Sequence, residues 1–228
     1  MNSRVSLNNA QSFLRVYTGI MIEVCLVIYQ RPERFPKILA ALRNQTNQDF
    51  RLSVWNNSSQ ELHSDVFPSD RMQVCSGLIN YGSKARFWLV KRTTGNPVIF
   101  LDDDQDIDGD FIEYMHNEWV RRGPMCVLGW FTRVFNKESY WDSVLCPRAD
   151  TEVDYIGTGG MIVGRGLFLR EPLLENLPPE YDQVEDLYFS YAARKHGMRL
   201  FSVERKCQII NDGKDQHKRL GEYKEQAF

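Results

Sequence analysis

Apolar and polar positions alternate between two periods along the first half of the chain. "IEVCLVIY" (22–29) is an unbroken apolar, β-branched run. Such a run predicts a strand covered on both faces, as in a parallel sheet beneath helices. Phe35, Ile38, Leu39 and Leu42 then recur at i, i+3, i+4 and i+7, which predicts an amphipathic helix. "FRLSVWNN" (50–57) predicts the next strand, closed by the turn cluster Asn-Asn-Ser-Ser. "QVCSG" (73–77) predicts a short third strand. "SKARFWLVKRTTG" has helical spacing through Ala85, Trp88, Leu89 and Arg92 and stops at Gly95. "PVIFL" (97–101) predicts another covered strand, and "DFIEYMHNEWVRRG" a helix closed by Gly123. Strand and helix in alternation imply right-handed crossovers and a mostly parallel α/β sheet.

The second half changes character. "MCVLGWF" (125–131), "YIGTGGMIVG" (155–164), "MRLFSV" (198–203) and "CQIIND" (207–212) are strand-like, and "VEDLYFSYAARKHG" (184–197) predicts a helix. Residues 132–154 lack clear periodicity and predict a long mobile loop. With no internal repeat and no Ser/Gly linker, the expected organisation is a polar leader (1–21) and one domain (22–228). That domain divides into a nucleotide half (22–123), a variable half (124–212) and a basic C-terminal segment (213–228).

Composition narrows the function classes. The chain has 228 residues, 43% apolar and 25% charged, with a formal net charge of −2. This balance gives no global attraction to nucleic acid or membrane. No apolar stretch reaches the roughly 18 residues a membrane helix needs, so no membrane anchor is expected. Five cysteines without a C-x-x-C pair predict reduced, partly buried thiols and a cytoplasmic location.

The charge is local. "LDDDQDIDGD" (101–110) sets six aspartates directly behind the strand at 97–101. Such crowding raises carboxyl pKa values unless the group is solvated or faces a cation. Counted from Asp104, the run imitates an EF-hand loop, but position twelve is Met115 where a bidentate Glu is required. Asp108 and Asp110 suit the start of the next helix, and Asp106 a solvated loop. Asp102 and Asp104 differ from these. They leave a covered strand two residues apart, and i, i+2 side chains on extended chain point to the same side. That spacing suits one divalent ion, Mn²⁺ or Mg²⁺, with positions left for phosphate oxygens.

With this stretch in place, the chain resembles the GT-A fold glycosyltransferases, particularly the family 2-like group. "VIFLDDDQDI" looks like their DXD motif. "LVIYQRPERFPKILAALRNQT" resembles their opening segment and "LSVWNNSS" their second strand, with Asn56 where Asp is usual. "NYGSKARF" resembles their Asn-x-Gly segment, with Phe87 in place of Asn. "YIGTGGMIV" resembles the Gly-rich acceptor-side strand and "VEDLYFSYAARKHG" the Glu-Asp helix. The likeness covers most of 22–212. Its short single-domain form is similar to members carried by large DNA viruses of algae.

The resemblance implies a GT-A fold: a Rossmann-like half with a mostly parallel central sheet flanked by helices, and a smaller mixed half. It implies transfer of a hexose such as glucose from a UDP-sugar, with Mn²⁺ or Mg²⁺, to a glycan or glycoprotein hydroxyl with inversion. It places the nucleoside against Tyr29, Arg31 and Asn56, with Lys84 or Arg86 nearby. Asp102 would hold the ribose, Asp104 the metal, and Asp103, though beside the donor, would point the other way. His217 is the expected third metal ligand. Asp186 is the expected base, with Glu185 supporting it. Trp130, Tyr155, Thr158, Gly159 and Gly160 are acceptor candidates, since aromatic faces stack on sugars and glycine permits close approach. Two other classes compete. A nucleotidyltransferase would carry a Gly-rich basic loop after the first strand, and "IYQRPERF" has no glycine. A non-catalytic metal- or carbohydrate-binding module leaves the Glu-Asp helix without a task.

Overall fold

The computed structural model describes residues 21–228 apart from 64–66, 78, 137–138, 172, 174 and 215–216, and omits the side chains of 217–219 and 221. Of the expected leader, Met21 alone is described.

The elements run β1 (Ile22–Ile28), a 3-10 turn (Pro32–Arg34), α1 (Phe35–Arg43), β2 (Phe50–Asn56), β3 (Met72–Ser76), α2 (Ala85–Arg92), β4 (Val98–Asp102), β5 (Gln105–Ile107) and α3 (Phe111–Arg122). The second half continues with β6 (Cys126–Gly129), β7 (Thr132–Phe135), β8 (Ser143–Leu145), β9 (Tyr155–Ile156), β10 (Met161–Val163) and α4 (Gly166–Arg170). It closes with a 3-10 turn (Pro179–Tyr181), α5 (Glu185–Lys195), β11 (Arg199–Ser202), β12 (Cys207–Ile209) and α6 (His217–Ala227).

The central sheet has the order β11-β6-β10-β4-β1-β2-β3. β1 is parallel to β2 and β4, β2 to β3, and β6 to β11, while β10 runs antiparallel between β4 and β6. The expected mostly parallel α/β sheet is therefore present. β1 explains why its sequence shows no alternation. Val24, Leu26 and Ile28 pack with Phe35, Ile38, Leu39 and Leu42 of α1 and with Phe111, Met115 and Trp119 of α3. Cys25 and Val27 face the other layer, with Phe87 and Leu89 of α2 and Phe189 of α5. Each such buried side chain contributes roughly 1.5–3 kcal/mol, so both faces select for apolar residues.

The chain builds β1, β2 and β3 outward, then returns to place β4 on the other side of β1. Open α/β sheets bind ligands outside the carboxyl ends of their strands at such a reversal. Asp102 ends β4 there, level with Val27 of β1.

Three expectations change. Residues 132–154 are not one long loop, because β7 pairs with β8 and β9 in a small antiparallel sheet. The aspartate run contains β5, paired antiparallel with β12. Two of its outer acids, Asp106 and Asp110, are also held by cations, while Asp108 is exposed. Asp106 accepts from Arg34 at 2.6 Å and Lys37 at 2.7 Å. Asp110 occupies the position before α3 but makes no side-chain cap bond; with φ −106° and ψ 8° it lacks the extended conformation of an N-cap, and it pairs with Lys206 at 2.9 Å. The C-terminal segment forms the helix α6. The five cysteines are free, and no helix among the described residues is long and apolar enough to cross a membrane.

Candidate active site

A cleft of about 550 Å³ opens at the carboxyl ends of β1 and β4, lined among others by Tyr29, Arg31, Asn57, Arg86, Asp102, Asp103, Asp104, Lys214 and Tyr223. A second cavity of about 460 Å³ holds Trp130, Thr158, Gly159, Glu185, Asp186, Arg205 and Lys224. The two share Ser83, Arg86, Asp102, Asp104, Gln183 and Leu220, so they form one continuous cleft with two walls.

The three consecutive aspartates leave β4 with different fates. Asp102 Oδ1 accepts from Arg86 Nη2 at 2.8 Å. Asp103 turns inward, where Oδ2 accepts the Tyr29 N–H at 2.8 Å and Oδ1 lies 3.2 Å from Arg31 Nη1. Burial pushes the Asp103 carboxyl up, and the Tyr29 N–H and Arg31 oppose it. Arg31 is itself clamped by Asp212, with Nε to Oδ2 at 2.9 Å and Nη2 to Oδ1 at 2.8 Å. Asp104 lines both parts of the cleft but ion-pairs with no Lys or Arg among the described residues. Burial and the neighbouring charge of Asp102 push its carboxyl up to about 7.

Asp102 and Asp104 fit a divalent cation by this chemistry: two oxygen-donor side chains share a cleft, and one of them is crowded by negative charge with no cation of its own. Among the described residues no three His, Cys, Asp or Glu side chains are grouped to hold a metal ion. The side chain of His217, the expected third ligand, lies outside the described residues.

Arg86 joins the two walls. It is almost fully buried and lies between Asp102 and Glu185 Oε1, the latter 3.6 Å from its Nε. Its Nε also donates to the Ser83 carbonyl at 2.8 Å. Its Nη1 is buried without a hydrogen-bond partner among the described residues. A buried donor left unpaired costs about 1–3 kcal/mol unless a ligand satisfies it.

Of the residues expected around a base, Tyr29 is half-exposed in the cleft. Asn56 is not among the cleft-lining residues. Its Oδ1 accepts the Ser58 N–H at 2.9 Å and its Nδ2 donates to the Gln60 carbonyl at 2.7 Å, so its amide closes the turn after β2. The lining residue is Asn57, fixed by Trp55 Nε1 at 3.0 Å and by the Tyr81 N–H at 3.0 Å. Lys84 also stands outside this cleft, paired with Asp182 in a neighbouring hollow beside Trp88.

On the opposite wall, α5 begins with Glu185 and Asp186. Glu185 is buried, accepts from the Ser83 hydroxyl, and burial pushes its carboxyl up while Arg86 opposes the shift. Asp186 Oδ2 accepts from the Tyr155 hydroxyl and from Lys224 Nζ at 2.8 Å, and Oδ1 accepts the Leu187 N–H at 3.0 Å. Tyr155 is fully buried, so it supports Asp186 and does not face a ligand. Trp130 lines the cavity with the Arg205 guanidinium 4.6 Å from its ring centre. Gly159 lies in close approach to β4, so that a Cβ added there would meet Asp102 Oδ2 and that carboxylate would have to shift. Gly160, at φ +77°, lets the chain pass Trp130, whose Nε1 would lie 2.6 Å from an added Cβ. Gly160 does not itself line the cavity. Sequence reading missed Asn57, Asp212 and Lys224. For Lys224 the available signal was the spacing of Leu220, Tyr223 and Ala227, which marks a helix face.

Comparison with known proteins agrees with this architecture. No curated protein matches the chain in sequence. The fold is similar to that of S. aureus TarS, with a TM-score of 0.57 and 16% identity over 87% of this chain and 38% of that one. It is also similar to TarS 1–349 in complex with UDP (TM-score 0.54, 17% identity, 82% of this chain and 60% of that one). The complex of TarS 1–349 with UDP-GlcNAc gives 0.56 at 17% identity, over 85% of this chain and 60% of that one. This chain thus spans 38% to 60% of the length of these structures, less than two thirds, and they lend the expected viral origin no support. Residues 23–177, more than half of the chain, match the family described as Glycosyl transferase family 2, and the chain belongs to that family.

Proposed function

We propose that this chain transfers a sugar from a UDP-sugar to a hydroxyl of a glycan or glycoprotein, with a divalent metal and with inversion. The observation that carries this reading is the two-walled cleft. Crowded carboxylates and an unpartnered Arg86 Nη1 stand on one side, and Asp186 stands on the other. TarS structures of similar fold contain UDP and UDP-GlcNAc, which supports the donor class.

In this reading Tyr29 and Asn57 receive the nucleoside, and Arg86 Nη1 donates to a diphosphate oxygen. Asp102 and Asp104 would hold Mn²⁺ or Mg²⁺, which when bound offsets the charge that builds on the departing diphosphate. Asp186 accepts the proton of the acceptor hydroxyl as its oxygen bonds to the anomeric carbon. The bond from that carbon to the diphosphate oxygen breaks, and its electron pair leaves with UDP. A single base facing the leaving group fits one displacement with inversion. Glu185 holds Arg86 and Ser83 in place. Trp130, with Thr158 beside it, offers an apolar face to the acceptor ring.

The test is UDP release from a panel of UDP-hexoses and UDP-N-acetylhexosamines with Mn²⁺, with and without oligosaccharide acceptors. Release that depends on Asp186 supports the reading. A nucleotide sugar and pyrophosphate made from a nucleoside triphosphate and a sugar 1-phosphate would instead indicate a nucleotidyltransferase.

A further inference from the structure

We propose that Lys224, on the C-terminal helix, is a positioning residue for Asp186. The proposal rests on the reading of Asp186 as the base. Lys224 is 9% exposed, with Nζ 2.8 Å from Asp186 Oδ2 and 2.6 Å from the Tyr155 hydroxyl oxygen. That hydroxyl donates in turn to the same Oδ2. The three groups close a triangle whose members come from β9, α5 and α6.

An ionised carboxylate offers about four acceptor positions. On Asp186, Lys224 and Tyr155 take two on Oδ2, and the Leu187 N–H takes one on Oδ1. One position remains on Oδ1, as a base needs for an incoming hydroxyl. The triangle fixes the rotation of the carboxylate and commits the other oxygen. A buried ammonium is costly unless paired. Burial acts to lower the Lys224 pKa, and Asp186, Tyr140 and Glu185 together more than offset this, holding the ammonium above its ordinary value.

The helix that carries Lys224 is anchored on both sides of it. Tyr223 and Ala227 pack against the cluster of Tyr140, Tyr155, Val184 and Leu187. Glu225 accepts from the Ser139 hydroxyl at 2.9 Å and from the Tyr140 N–H at 3.1 Å. Lys224 itself lines the cavity with Asp186. It is therefore held at the site and does not reach it from a loose tail.

The experiment uses the full chain with Lys224→Met, Lys224→Arg and Asp186→Asn. UDP release from UDP-GlcNAc, UDP-glucose and UDP-galactose is measured with Mn²⁺. Rates are taken per binding-competent molecule, counted from the stoichiometry of UDP calorimetry. The expected result for Lys224→Met is a kcat lower by about tenfold to a hundredfold, the size of effect that a displaced catalytic group produces. Donor KM and UDP affinity stay unchanged, and Lys224→Arg recovers part of the rate. A kcat within about twofold of the parent, beside an inactive Asp186→Asn, overturns the proposal and leaves the base intact. Asp186→Asn with undiminished turnover, or a parent that releases UDP from none of the three, overturns the base reading and this proposal with it. If Lys224→Met does not fold, Tyr155→Phe, which removes the other donor to Oδ2, is expected to show the same fall in kcat at constant KM. An unchanged kcat there overturns the proposal.

Discussion

The two walls of the cleft balance their charge in opposite ways. On the acceptor wall Asp186 has an ammonium 2.8 Å away and Glu185 has Arg86 beside it. That wall is neutralised from within the chain. On the donor wall Asp102 shares Arg86 with Glu185, Asp103 takes Arg31, and Asp104 makes no ion pair among the described residues, with Arg31 acting on it only at longer range. The contrast also separates two neighbouring aspartates. Asp103 is an acid whose cation is already in place, and Asp104 is the acid to which the proposed function assigns a bound cation.

The largest expected effect falls on the acceptor wall. Asp186→Asn should lower turnover by about 10²–10⁴-fold, with UDP affinity unchanged, as followed by UDP release and calorimetry. Next comes Asp103→Asn on the donor wall. It leaves Arg31 without one buried partner and should cost about 3 kcal/mol of stability in denaturant unfolding. Asp104→Asn should leave stability unchanged or raise it. Its effect should appear in ligand binding, where losing one ligand charge should weaken Mn²⁺-dependent UDP affinity by about tenfold or more. Equal stability losses at 103 and 104 would erase the distinction between them.

The smallest effect is a control at the other end of the sheet. Glu23 is also buried without an ion pair among the described residues, but the Ser53 hydroxyl donates to it at 2.5 Å. Burial pushes its carboxyl above the ordinary 4.5, with the Ser53 bond opposing. The folded chain then keeps a proton that the unfolded chain has released. Stability should fall as pH rises from about 4.5 through the folded value, by roughly 1.4 kcal/mol per unit of difference. Glu23→Gln should flatten that slope, and Mn²⁺ should not alter it. A manganese effect on the slope would mean that acids away from the cleft also respond to the metal.

The donor wall was more legible than the acceptor wall for a physical reason. β1 and β4 are covered on both faces, so their sequences are apolar throughout, but Asp103 and Asp104 form a turn between β4 and β5, so the i, i+2 rule of extended chain does not govern where they point. Asn57 and not Asn56 lines the cleft, because the Asn56 side chain serves the turn that follows β2, a choice between two adjacent amides that sequence does not resolve. β7 and β8 are three or four residues long, shorter than any period reveals. The triangle around Asp186 joins positions 155, 186 and 224, which no local pattern connects. Lys224 reads as an ordinary surface lysine until the helix face of Leu220, Tyr223 and Ala227 is placed against the sheet.

The most direct measurement of the central claim, that the donor wall binds a nucleotide diphosphate through a cation, is a calorimetric titration of UDP with and without Mn²⁺. The account predicts tight one-to-one binding with the metal, weak binding without it, and loss of the difference in Asp104→Asn. UDP binding of equal strength in all three cases, or no binding in any, would contradict it.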